Sequence, residues 1–407
     1  EVYNLDTGKT KWKLRYKKDI IKRVGGKKFK NTGYNPWGGI SLDDTRGILF
    51  FTTGNPHSYF DGTQRPGKNE PGNSIIAVDL IKKKLMWSFQ ETSHDIWNSD
   101  LPAPPILTSL SINNKKIDVV ITPTKRSNTI ILDRITGKPI FKFRLRKAPI
   151  SKLPGERTSK YQPDLNLPEP FGKNIFSSED FWSYDKSKLK KIKKKYENYQ
   201  YGFYKPYELG KKNLQYNFNG GAEWMGASVD HINNIMYVSS NNIPWQASVE
   251  KKSGDNDEPP SYYSDFKRAL IDEIYPVTKP PWGTITALNL NNGKIIWQIP
   301  FGEYKKLRSL GIERTGTENF GGVTGSEGNL IFATGTLDKK FYVFNSKNGT
   351  ELFSFEMPYI GSAPPTTYRI RNKQYVIVQA TGGKSLMQGY PNIVENGNML
   401  IAFSIKD

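Results

Sequence analysis

The stretch HDIWNSD (His94–Asp100) places an imidazole, two carboxylates and an amide within seven residues. It follows NPWGGISLDDTRGILFFTTGNPHSYFDGTQRPG, a run dense in turn residues and polar side chains. Several chemistries are excluded at once. With no cysteine there can be no disulfide framework, thiolate zinc site, Fe–S cluster or cysteine nucleophile. The three histidines, His57, His94 and His231, are too scattered for a His-rich metal centre. No GxSxG, HExxH or GxGxxG occurs. Gly383-Lys384-Ser385 resembles the end of a phosphate loop, but the required upstream glycine position holds Val378, and Tyr375–Ala380 reads as a strand. Asn348-Gly349-Thr350 is a sequon placed inside a hairpin turn, so it reads as turn chemistry.

These residues must be held by a repeated strand framework. One pattern recurs: Asn or Asp, three residues, Gly, three residues, then an aromatic. It runs Asn4-Gly8-Trp12, Asp133-Gly137-Phe141, Asn289-Gly293-Trp297 and Asn345-Gly349-Phe353, with a fifth copy, Asp79-Lys83-Trp87, that has lost its glycine. The physics is a hairpin: the Asn or Asp caps the turn, the glycine takes the positive φ, and the aromatic starts the returning strand. The copies lie 75, 54, 156 and 56 residues apart, and a spacing near 55 suits a four-stranded blade. Strand pairs without the tag, such as 222–240, fill the long gap. Little helix and radial repetition predict an all-β propeller. The irregular segment 148–220 predicts an insertion over one face, with one helix from Ser177 to Tyr196. No Gly/Ser linker divides the chain, so the whole of 1–407 reads as a single domain.

The formal charge is +20, from 59 Lys and Arg against 39 Asp and Glu. The excess is mostly lysine at turn tips, plus Lys186–Lys195, and reads as a solvated basic surface. No reading motif or focused groove supports nucleic-acid binding. No apolar run reaches the roughly 18 residues of a membrane span. The opening EVYNLDTGKTKW reads as the middle of a folded repeat, so further blades, and any signal or anchor, are expected upstream of Glu1.

With these motifs in view, the chain resembles the quinoprotein dehydrogenases, eight-bladed propellers that carry pyrroloquinoline quinone (PQQ), most closely the membrane glucose dehydrogenase branch. The matching motifs are Thr53-Gly54-Asn55-Pro56, Arg65-Pro66-Gly67, the run from Trp87 to Pro105, PTKRSNTIILDRITG (Pro123–Gly137), EDFW, YGFYKP, NFNGGAEWMG and the closing segments PPWGTITALNLNNG and APPTTYRIRNKQYVIVQATGG. The resemblance implies an eight-bladed quinoprotein-type β-propeller of which about six blades are present, with the long, partly helical insertion. It implies a dehydrogenase of a sugar, polyol or alcohol, transferring hydride to PQQ and passing electrons to ubiquinone or another membrane acceptor. It also implies a periplasmic location, with peripheral association or an inner-membrane anchor from the upstream segment. Absence of cysteine agrees with the glucose dehydrogenase branch.

Residue by residue, the resemblance gives Trp37 as the floor on which the quinone stacks, against a plain blade-docking reading. Asn55 becomes a ligand of Ca²⁺ or a lanthanide, against a simple turn role. Lys125 becomes the cation facing the quinone oxygens. Asn241 is the match for a further quinone contact, with Ser239 and Ser240 as neighbouring choices. The position of the family's proton-accepting Asp holds Asn98, an amide with no useful basicity. Asp100 lies two residues on, and on an extended run it points to the same side. It is therefore either the replacement base or an extra metal ligand. The His94-Asp95 pair is expected to fix the loop. The alternative function is a noncatalytic interaction scaffold that has lost its base at Asn98.

Overall fold

The computed structural model describes residues 1–14, 21–24, 27–30, 33–112, 114–216, 218–252, 260, 262–382, 390 and 395–405, with 21–24 and 27–30 described by backbone alone. Gly383-Lys384-Ser385 lies outside these residues. Strands dominate. Five antiparallel sheets follow one another along the chain, each a blade of strands in the order they occur. The first joins Ile40–Asp43, Ile48–Thr52, Ser74–Asp79 and Lys84–Gln90. The second joins Ile106–Ile112, Lys115–Pro123 and Thr129–Asp133. The third takes Ala227–Asp230, Ile235–Asn241, Gly283–Asn289 and Lys294–Pro300, and the fourth takes Val323–Ser326, Leu330–Ala333, Lys340–Asn345 and Glu351–Glu356. The fifth holds Thr366–Ile370, Lys373–Gly382 and Asn396–Ser404, and a hairpin of Val2–Tyr3 with Thr10–Trp12 precedes the first.

The recurring tag behaves as hairpin chemistry requires. The Asp133 carboxylate accepts the Thr136 backbone N–H at 2.7 Å, and Asp79 accepts that of Lys82 at 2.7 Å. Gly137, Gly293 and Gly349 sit at φ of 69°, 73° and 73°, where a side chain is strained. Lys83, which replaces the glycine of the fifth copy, adopts φ 54°. The closing aromatic has a further role. A Cβ on Gly137 would lie 2.6 Å from the Trp87 ring, and one on Gly349 would lie 2.9 Å from the Trp297 ring. Each indole donates to the same neighbouring turn, Trp87 to Arg134 O at 3.2 Å and Trp297 to Ser346 O at 3.0 Å. The aromatic of one blade therefore docks on the glycine of the next, so the tag both turns the strand and joins the blades.

Apolar strand faces pack between blades, as in the cluster of Leu110, Ile121, Ile131, Met236 and Val238. A separate, largely aromatic cluster lies under the insertion and includes Trp97, Tyr196, Tyr204, Tyr207, Trp245 and Trp282. The excursion is longer than 148–220: residues between the second and third strands of the third blade add Trp245–Lys251, which pairs with Lys212–Gln215, and Tyr262–Arg268, which pairs with Trp245–Lys251. The expected helix from Ser177 to Tyr196 is shorter. Ser178–Asp180 forms a single 3-10 turn, and an α-helix, α1, runs Lys186–Lys195. Between them Trp182 N bonds Val277 O at 2.8 Å and Phe181 bridges to Thr278, which hold the chain extended. Asp185 restarts the helix by accepting from the Ser187 and Lys188 amides.

Candidate active site

The loop His94–Asp100 is fixed from beneath. Asp95 accepts the Trp97 N–H at 2.9 Å and the Ser99 N–H at 2.8 Å, and takes a third bond from Asn73 at 3.1 Å. His94 bridges Gly67 O at 2.7 Å and the Glu156 carboxylate at 2.6 Å, tying the loop to the RPG turn and to the insertion. The His94-Asp95 pair thus holds the loop in place. The loop is not extended as expected: Asn98 takes φ 58°. Its amide consequently turns to Asn55, whose Nδ2 donates to Asn98 Oδ1 at 2.6 Å.

Asp100 turns the other way. Its Oδ1 meets Lys125 Nζ at 2.6 Å and its Oδ2 accepts the Trp37 indole N–H at 3.0 Å. Both members of the ion pair are buried, Lys125 at 4% and Asp100 at 5% exposure, whereas Trp37 is 48% exposed. Burial alone would lower the Lys125 ammonium, but the Asp100 and Glu223 charges outweigh it and hold the group above its usual value. Lys125 lies two residues past the end of the strand Lys115–Pro123, and Gly221 packs on its backbone: a Cβ there, at φ 60°, would lie 2.3 Å from Lys125 O. Gly54 serves Trp37 similarly, since a Cβ on it would approach the indole to 3.2 Å. The ring lies against the Thr53–Pro56 turn and leaves surface open to solvent.

Trp37, Asp100 and Lys125 are therefore brought together, with Asn55 and Asn98 paired beside them. Asn241 is not part of this group of contacts. Its Oδ1 accepts from Asn319 N at 2.8 Å and Nδ2 at 2.9 Å, and its own Nδ2 donates to Asn319 O at 2.9 Å. Its amide is spent on joining two blades. Of its neighbours, Ser240 bonds Thr284 at 2.7 Å, while the buried Ser239 hydroxyl has no hydrogen-bond partner among the described residues.

Two residues were not assigned from sequence although their motif, GGAEWMG, was noted. Glu223 is 2% exposed, and its Oε1 has no hydrogen-bond partner among the described residues. Burial pushes its carboxyl up to about 8, against the opposing Lys125 charge and with Asp100 and Glu318 adding to the rise. Trp224 stands next to it, 6.2 Å from the Trp37 ring and stacked on Phe320 at 5.2 Å with a 4° interplanar angle. The signal available in sequence was an acid set in a run of glycines and apolar residues.

A half-open indole face beside a buried ammonium suits a planar, anionic acceptor: the ring gives stacking area and the cation compensates charge. The donor set for a metal is thinner. Among the described residues no cluster of three or more His, Asp or Glu forms a cation site. The propeller and this constellation define a class, a repeat scaffold that presents a planar redox group at its face. The family model for the PQQ-type glucose, ethanol and alcohol dehydrogenase β-propeller domain matches residues 1–376, and the chain belongs to that PQQ-dependent family. It is 27% identical to quinoprotein glucose dehydrogenase A of Acinetobacter calcoaceticus, over 100% of this chain and 53% of that protein. It is 26% identical to the glycerol dehydrogenase large subunit of Gluconobacter oxydans (strain 621H), over 95% of this chain and 57% of that protein. The quinohemoprotein alcohol dehydrogenase of Comamonas testosteroni has the same fold, with a TM-score of 0.61 at 18% identity, covering 91% of this chain and 48% of that one. A europium-containing methanol dehydrogenase gives 0.56 at 19% identity, covering 86% and 51%. The chain spans about half the length of the relatives it matches.

Proposed function

We propose that this chain is the propeller of a PQQ-dependent dehydrogenase that oxidises a hydroxyl of a sugar, polyol or alcohol and passes electrons to ubiquinone or another membrane acceptor. The observation that carries this reading is the buried Lys125–Asp100 pair joined to the half-exposed Trp37. Bound PQQ supplies a two-electron acceptor for the carbinol hydride. Trp37 offers its ring face for stacking, and Lys125 offsets negative charge as the acceptor is reduced. Asp100 aligns both, because one oxygen holds the ammonium and the other the indole N–H. Asn55 is the candidate ligand for Ca²⁺ or a lanthanide, a hard cation that suits an amide oxygen. An extra metal ligand at Asp100 is less favoured, because Lys125 already occupies the place of a cation there. Asn241 keeps its inter-blade bonds, and Ser239 takes its place as the candidate contact.

Relatives named for glucose, glycerol and quinate support hydroxyl oxidation as the class without choosing a substrate. No helix among the described residues is long and apolar enough to cross a membrane. Periplasmic location, with peripheral attachment or an upstream anchor, remains part of the proposal. The basic face of α1 supports attachment to an anionic surface. Reconstitution of the full-length protein with PQQ and Ca²⁺ or a lanthanide tests the reading. The expected result is a PQQ absorbance change with dye-linked oxidation of at least one of glucose, glycerol, quinate or ethanol. Failure of every metal–PQQ pair to bind would leave the noncatalytic scaffold, which Asn98 already favours.

A further inference from the structure

Four buried carboxylates in and beside this constellation differ in what holds them. Asp100 has both oxygens engaged, by Lys125 and by Trp37. Glu318 is gripped at both oxygens by Arg268, at 2.6 and 3.0 Å. Glu91 accepts from Thr124 at 3.0 Å and Asn128 at 2.9 Å. Glu223 alone of the four carboxylates has no side-chain hydrogen bond among the described residues, although only 2% of it is exposed. Leaving such a group buried and unpaired costs stability, so its retention needs a reason outside the free protein's packing.

Its position supplies one. Ala222, the residue before it, bonds Thr124 O at 3.1 Å, next to Lys125. Trp224, the residue after it, lies against Trp37. Glu223 thus lies in the chain between a residue bonded beside Lys125 and a residue whose ring neighbours the half-exposed Trp37. Asn98, which is half-buried, is an amide and cannot accept a proton usefully.

We infer that Glu223 is a catalytic residue, the base that takes the proton of the hydroxyl being oxidised; this rests on the dehydrogenase reading above. The substrate O–H bond breaks and its proton passes to a Glu223 oxygen. The carbinol C–H bond breaks with its electron pair leaving as hydride to the quinone oxidant, and the C–O bond becomes a carbonyl. The substrate loses two electrons and two hydrogens, and the oxidant gains the pair. Asp100 then has a positioning part, through Lys125 and Trp37, rather than the base role expected from sequence.

The test uses the full-length protein with PQQ and Ca²⁺, comparing E223Q, E223A and wild type. Glutamine keeps shape and removes the base. E223Q is expected to bind PQQ within about 3-fold of wild type by absorbance titration and to melt close to wild type without cofactor, because the amide keeps the shape of the carboxyl and no side-chain hydrogen bond among the described residues is lost. Its turnover is expected to fall by about 10²–10⁴-fold. In E223A, added formate should restore part of the turnover, and it should do nothing for E223Q. Turnover of PQQ-loaded E223Q within about 3-fold of wild type overturns the inference. So does a loss of turnover that merely follows a loss of PQQ affinity. Failure of the wild type to bind PQQ overturns the dehydrogenase reading, and the base with it.

Discussion

Replacing Asp100 by Asn strands the Lys125 ammonium. The pair is buried, with side chains 5% and 7% exposed, and among the described residues the only other hydrogen bond to Lys125 Nζ is the Asn98 carbonyl at 3.4 Å. Removing one partner of a buried pair costs about 3–5 kcal/mol, because the remaining charge keeps its desolvation cost without its compensation. Unfolding entropy near 2.1 cal/mol/K per residue, over 407 residues, gives about 0.85 kcal/mol/K, so D100N should lower Tm by about 4–6 °C. K125M, which strands the Asp100 carboxylate beside the Trp37 N–H, should behave alike. The double variant D100N/K125M removes both charges of the pair and should lose far less than the sum of the two. Differential scanning calorimetry at one fixed scan rate reads all four proteins. A drop under about 1 °C for D100N, or a double variant whose loss equals the sum, would refute the coupled pair as the element that organises this site.

Glu91 gives a pH test. Burial pushes its carboxyl up to about 7 from 4.5, despite the bonds from Asn128 and Thr124. Across that window the folded protein keeps a proton that the unfolded chain has lost, so its contribution is complete below about pH 4.5 and fades as pH rises to about 7. E91Q should therefore melt higher than wild type at about pH 8 and show a smaller advantage near pH 5; equal differences at both would count against the assignment. On α1, Lys190, Lys191, Lys193 and Lys194 are exposed. Changing all four to Gln should weaken binding to phosphatidylglycerol vesicles by at least about 10²-fold at low salt, at roughly 1 kcal/mol per lysine, with dye-linked turnover unchanged. Wild-type vesicle affinity in that variant would remove the helix as a membrane contact.

The hairpin tag was legible because it is local: Asn or Asp, glycine and aromatic act within nine residues, and the structure has each in its expected place. That the aromatic of one blade docks on the next blade's glycine was not legible, since the partners lie about fifty residues apart. The helix in the insertion was placed by its capping signal but begins later, because a distant segment, Val277–Thr278, holds Phe181 and Trp182 extended. Asp100 was singled out on an assumed extended run. The loop instead turns at Asn98, and that turn sends the amide to Asn55 and the carboxylate to Lys125.

Sequence by itself determined the all-β repeat, the absence of thiol chemistry, and a family whose motifs survive at about a quarter identity. Those follow from residue types and short-range backbone preferences. Which carboxylates are neutralised was decided only by tertiary structure. Asp100, Glu318 and Glu223 come from separate segments of the chain, and the partners that hold or free each one are brought near only when the blades close. Charge compensation depends on distances between those segments, so Glu223, a buried carboxylate without a side-chain hydrogen bond among the described residues, emerges from the fold alone.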